Sequence, residues 1–290
     1  MPKEIYVTDY MNHRIQVFDL EGNFKRKWGS YGSGNGQLNN PCGIAVSGGE
    51  VFVTEVLNSR IQVFDLNGTY KRKWGSPGSG PGQFYYAYGI AVFNNEVFIT
   101  DYIWCRIEVF AIDGTFKRLW GTYGTGNGQF GGPWGISVTS EIFTTDRTPN
   151  HRIQVFDVEG NFKRKWGSYG SGNGQLNLPT GIFATKTEVY VAEQTNARIQ
   201  VFDLSGTFKR GWGQQGTGPG QFWNPYGITV LDEEVFIADS NNNRIQVFDL
   251  EGILKRIWGS YGTENGQFNY PMGVFIPTGK IQYLPVMGIG

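Results

Sequence analysis

Arg14-Ile15-Gln16-Val17-Phe18-Asp19, followed by Gly22-Asn23-Phe24-Lys25-Arg26-Lys27-Trp28-Gly29, is the stretch on which the fold turns, because it returns. The arginine recurs at Arg60, Arg106, Arg152, Arg198 and Arg244, each 46 residues after the last. Trp-Gly recurs in the same register at Trp74, Trp120, Trp166, Trp212 and Trp258. A Gly-Ile or Gly-Val pair does so at Gly43, Gly89, Gly135, Gly181, Gly227 and Gly273. Within one period the apolar residues alternate in runs of four to seven, as in half-buried strands, and nothing has helical spacing. Periodic units of this length built from short strands are propeller blades.

The pairs Glu21-Gly22, Asn67-Gly68, Asp113-Gly114, Glu159-Gly160, Ser205-Gly206 and Glu251-Gly252 separate the third and fourth strands. Such pairs predict a type I′ hairpin turn, with positive φ at both positions. The chain starts on a second strand, Glu4 to Val7, and ends the sixth period on a first strand, Gly273 to Ile276. The fold class predicted is therefore all-β. It is a six-bladed β-propeller with four antiparallel strands per blade, closed by one C-terminal strand joining three N-terminal strands. Closure removes the open sheet edge. Residues 1–290 are read as one domain, with Lys280 to Gly290 resembling a decayed second strand. Arg14 to Pro41 and Arg152 to Pro179 differ at only two positions, which points to duplication of a three-blade unit or to a designed or recently amplified propeller without a selected ligand.

The motif Pro-x-Gly-Ile, Val-Phe-Val-Thr-Asp/Glu, Asn-x-Arg-Ile-Gln-Val-Phe-Asp, Gly-x-Phe and Trp-Gly resembles the NHL repeat over nearly the whole chain. The resemblance implies a propeller of the kind found in tripartite-motif ubiquitin ligases, whose members bind protein or RNA. Some relatives are metal-dependent lyases. Fold likeness leaves the choice to the site.

Composition narrows it. Twenty-five basic and 25 acidic side chains cancel, so no global field draws the chain to nucleic acid or an anionic membrane. No apolar run approaches the ~20 residues of a membrane-spanning helix. Met1-Pro2-Lys3-Glu4 carries no signal-peptide or lipidation pattern, so a cytoplasmic, monomeric domain is expected, alone or within a longer chain. Two cysteines and two histidines fit neither a disulfide framework nor a catalytic zinc set.

Residues repeated in every blade read as architecture. The acids Asp9, Glu55, Asp101, Asp146, Glu193 and Asp239 are expected to pair with Arg14, Arg60, Arg106, Arg152, Arg198 and Arg244 of their own blades. Glu55 and Glu193, the two departures from Asp, are the first candidates if a metal binds. Trp28, Trp74, Trp120, Trp166, Trp212 and Trp258 are expected to wedge between blades. The Lys-Arg pairs of the fourth strands read as edge protection, with Arg26 stacked rather than free.

Function is expected where near-identical blades disagree, in the linker before Gly-Ile and the turn between strands two and three. Both open on one face, here the top. The candidate ligand-binding residues are Cys42, Tyr85, Tyr86, Tyr88, Trp104, Trp134, Thr180, Trp223, Tyr226, Tyr270, Met272, His13 and His151. An aromatic, charge-poor surface suits a protein or peptide first and single-stranded RNA second. No cofactor and no catalytic residue is expected. The alternative is a metal-dependent lyase or hydrolase at the central channel.

Overall fold

A computed structural model describes residues 3–277. Its strands form six four-stranded antiparallel sheets, one per blade. Blade 1 is the clasp, with Pro271–Phe275 innermost, followed outward by Ile5–Asp9, Arg14–Phe18 and Phe24–Trp28. Blade 2 runs through Pro41–Ser47, Glu50–Glu55, Arg60–Asp65 and Tyr70–Trp74. Blades 3 to 6 occupy residues 87–120, 133–166, 179–212 and 225–258. Among the described residues the sole helical turn is a 3-10 turn at Ser240–Asn242, and no helix is long and apolar enough to cross a membrane. The tail from Lys280 lies outside the described residues.

The repeated residues hold neighbouring blades together. Trp28 packs against Phe64 of blade 2 at 5.9 Å between ring centres and lies over Gly68. A Cβ on Gly68 would stand 2.5 Å from the indole, so the glycine is required for this approach as well as for its φ of +92°. Gly43 has a different reason: its missing Cβ would meet the Tyr88 carbonyl of the next inner strand at 2.2 Å. Thr54 bridges the same inner strands, its hydroxyl donating to Tyr88 O at 2.8 Å and accepting from Gly43 N–H at 2.8 Å.

The hairpin turn differs from the type I′ expectation. At residues 19–23 only Gly22 has positive φ, and its N–H donates to the Asp19 carbonyl at 3.2 Å. The strand register shifts beside it, between Val17 and Phe18. This is a three-residue loop with a glycine bulge. The Asp19 carboxylate accepts from the N–H groups of Glu21 and Asn23, which favours the longer loop.

Each outer-strand arginine is a staple. Arg72 makes a forked pair with Glu50 at 2.8 and 2.6 Å, donates to Ile112 O of blade 3 at 2.6 Å, and lies over the Phe52 ring. The neighbouring Lys71 reaches the same carboxylate. Arg26 is committed in the same way to Glu4 and Tyr6. The Lys-Arg pairs thus join strands and blades, although Arg72 Nε and Arg118 Nε are buried without hydrogen-bond partners.

Candidate functional site

Each second strand ends on its acid at the top face. Glu55 accepts from Arg60 Nε at 2.5 Å, Asn58 at 2.6 Å and Gln62 at 2.8 Å. The remaining Arg60 donors reach Ser33, Gly34 and Gln37 carbonyls, at 2.5, 3.0 and 2.9 Å. The recurrent arginine therefore grips the glycine-rich linker that leads into its own blade. Five blades share this pattern, through Asp9–Arg14, Glu55–Arg60, Asp146–Arg152, Glu193–Arg198 and Asp239–Arg244. Glu55 and Glu193 are fully buried and committed to these donors. No group of three or more His, Cys, Asp or Glu side chains placed to hold a metal occurs among the described residues.

Blade 3 departs from the expected pairing. Arg106 forms no ion pair with Asp101 and instead lies 2.6 Å from Glu108, which stands where five blades have glutamine. Elsewhere that glutamine's amide donates to the acid and to a linker carbonyl, as Gln62 does to Glu55 and Gln37. A carboxylate cannot donate, and the asparagine donor is also replaced, by Trp104. Burial pushes Glu108 up to about 7 and Asp101 to about 6.

The residues before each Gly-Ile converge at the upper end of the central channel, a cavity of about 900 Å³ lined by the inner strands. Cys42, Tyr226 and Met272 are buried there, with Tyr10, Tyr86, Tyr88, Trp134 and Tyr270 packed against them. Tyr88 stacks on Trp134 at 3.6 Å, Trp134 leads to Tyr226 at 5.6 Å, and Tyr226 to Tyr270 at 5.8 Å. Burial pushes the Cys42 thiol and the Tyr88 and Tyr226 phenols well above their usual ranges, so all three stay neutral at pH 7. The centre of the top face is an aromatic plug.

Three sequence candidates have defined packing partners. Thr180 does not reach the surface. It is fully buried, and its hydroxyl donates to Pro225 O at 2.8 Å, bridging to blade 6 where its own second strand carries Ala192 in place of the bridging threonine. His13 Nδ1 accepts from Asn40 N–H at 3.1 Å, and its ring packs on Tyr31. His151 repeats this with Leu178 and Tyr169. Accepting at Nδ1 requires the neutral imidazole, and burial lowers both histidines.

The remaining candidates are exposed. Trp104 is 39% exposed, Trp223 46% and Tyr85 48%. On the same face stand Met11, Leu57 and Ile103, the loop tips of blades 1, 2 and 3, where blades 5 and 6 carry Thr195 and Asn241. Sequence reading passed over Leu57 and Ile103, since a single apolar residue in a turn carries no pattern of its own. It also passed over Tyr31, Tyr123, Tyr169 and Tyr261, about 70% exposed in the linkers, whose recurrence in four periods was available as a signal. Among the described residues, ten of the eleven exposed large hydrophobic side chains lie on this face; the other, Ile253, sits in an opposite-face turn.

Six closed blades around a central channel, with exposed apolar side chains gathered on the top face, define a six-bladed β-propeller. The family described as 6-bladed beta-propeller, DUF5128, matches residues 37–118 and 176–257, together more than half of the chain, and the chain belongs to that family. A stretch of 43 residues is 46% identical to the RING finger protein nhl-1 of Caenorhabditis elegans, covering 15% of this chain and 4% of that protein. The NHL likeness is thus carried there by one blade's length. Among solved structures, one titled "Crystal structure of Nidogen/Laminin Complex" superposes with a TM-score of 0.71 at 18% identity, over 94% of this chain and 98% of that one. This likeness is one of fold.

Proposed function

We propose that the chain is a non-catalytic scaffold that binds a protein or peptide on its top face. The observation that carries this reading is the one-sided distribution of exposed apolar side chains, dense over blades 1 to 3 at Met11, Leu57, Tyr85, Ile103 and Trp104. Exposed aromatic and aliphatic clusters of this kind mark interaction sites. Around them the plug packs the upper end of the channel, and the arginines tie down the linkers by hydrogen bonds. A preformed surface loses little entropy on binding.

Leu57→Asp and Trp104→Ala test the reading, compared with Asn95→Asp on the opposite face. Pull-down followed by binding measurement is expected to lose the partner with the two top-face variants and to keep it with Asn95→Asp. Equal retention by all three would remove the assignment. Loss of affinity with rising salt, together with recovery of single-stranded RNA, would replace the protein partner by a nucleic acid.

A further inference from the structure

Arg147 is a buried cation that no carboxylate among the described residues answers. It is 8% exposed, its Nε is buried without a hydrogen-bond partner, and its side chain reaches one acceptor, Gln194 Oε1. Its guanidinium carbon lies 4.2 Å from the centre of Trp134, whose other face is covered by Tyr88. The nearby acids are committed elsewhere: Asp146 to Arg152 at 2.9 Å and Gly131 N–H at 2.7 Å, Glu193 to Arg198 at 2.6 Å. The other blades place neutral side chains here, at Tyr10, Val56, Tyr102, Gln194 and Ser240. Blade 4 also has one residue more in this loop, five between Asp146 and Arg152 against four in each of the others.

A guanidinium cannot shed its proton, and a buried charge with most donors unused is costly. Its planar fork matches a carboxylate through two parallel hydrogen bonds. The adjoining Tyr88, Tyr226 and Cys42 are neutral, so they do not balance it. We propose that Arg147, stacked on Trp134 beside Gln194, is a carboxylate-binding subsite of the top face. It would take an acidic side chain or the C-terminal carboxylate of a bound peptide, an assignment that rests on the peptide-docking reading above.

The test follows the Arg147 Nε–H signal by 1H–15N NMR, assigned from its loss in Arg147→Gln, during titration with acetate, with chloride at matched ionic strength, and with inorganic phosphate. N-acetylglutamate α-amide and N-acetylglutamine, bearing only a side-chain or only a terminal carboxylate, separate the two sources. The expected result is a saturable shift with acetate and with at least one of the glutamate-derived probes, none with chloride, and binding weakened about tenfold in Arg147→Lys, which keeps the charge and loses the fork and is read from the indole N–H signal of the adjoining Trp134 in both proteins. An unmoved signal, or tighter binding of phosphate than of any carboxylate, would overturn the subsite. Leu57→Asp is expected to leave the acetate response intact while removing the partner, so failure of the subsite and failure of the docking surface are read separately.

Discussion

Arg106 Nη2 lies 2.6 Å from Glu108 Oε1, and Asp101, the acid that its counterparts grip in the other five blades, is left without its arginine. Two substitutions set this blade apart: Glu108 is a carboxylate where the other blades have an amide donor, and Trp104 replaces their asparagine. Glu108 Oε1 meets Arg106 Nη2 as an ion pair out of hydrogen-bonding alignment, and Arg106 Nε is buried without a hydrogen-bond partner.

Glu108→Gln is therefore expected to stabilise the protein by about 1–3 kcal/mol at pH 8. Its folded pKa, raised to about 7, exceeds the ordinary carboxyl value of 4.5. Below pH 4.5 both states are protonated and the substitution gains nothing from ionisation. Between 4.5 and 7 the unfolded chain ionises first, so the wild type weakens as pH rises and the advantage of glutamine grows. Denaturant titrations at pH 4 and pH 8 check this, and an equal gain at both would contradict it.

The outer staples have the opposite sign. The Arg72 guanidinium holds Glu50 down at about 2, and Glu4, Glu141, Glu188 and Glu234 are lowered alike by their arginines. Their contribution is complete above pH 4.5 and disappears as pH falls toward 2. Glu50→Gln is expected to cost about 1–2 kcal/mol at pH 7 and to cost little near pH 2, read from thermal melts across that range.

His13→Asn is expected to be tolerated at pH 7.5. Blade 6 already uses Asn243 in this role, accepting from Tyr270 N–H at 2.9 Å with φ +53°, close to the +54° of His13. The wild-type histidine, lowered by burial, contributes a loss of stability as pH falls below about 6.5, where the unfolded chain protonates first. Melting temperatures at pH 7.5 and 5 are expected to converge for the double variant His13→Asn, His151→Asn more than for the wild type.

The 46-residue period and the out-of-phase ends made the blades and the clasp legible, because strand alternation and repeat register are properties of the sequence alone. The wedge tryptophans and the clustering of Tyr88, Trp134 and Tyr226 were equally readable. The loop length at Gly22 was not, because it depends on the Asp19 carboxylate folding back on two N–H groups. Nor was the burial of Thr180, whose hydroxyl is taken up by the Ala192 and Pro225 carbonyls, both remote from it in sequence. The exposed tips Leu57 and Ile103 became visible only once the blades placed them on one face.

Gly68→Ala is expected to cost at least about 2 kcal/mol, since it adds a Cβ 2.5 Å from Trp28 at a φ of +92°. Trp28→Phe should cost less than a truncation to alanine, because the indole N–H is buried without a hydrogen-bond partner. Equilibrium unfolding of the three variants orders them, and a Gly68→Ala protein as stable as wild type would remove the wedge from the account.

A photo-crosslinking residue placed at Leu57 on the top face, and separately at Asn95 on the opposite face, gives the most direct reading of where a partner sits. Mass spectrometry after irradiation in cell extract is expected to find a discrete protein adduct from position 57 and none from position 95. Adducts from position 95 with none from 57 would contradict a top-face docking surface.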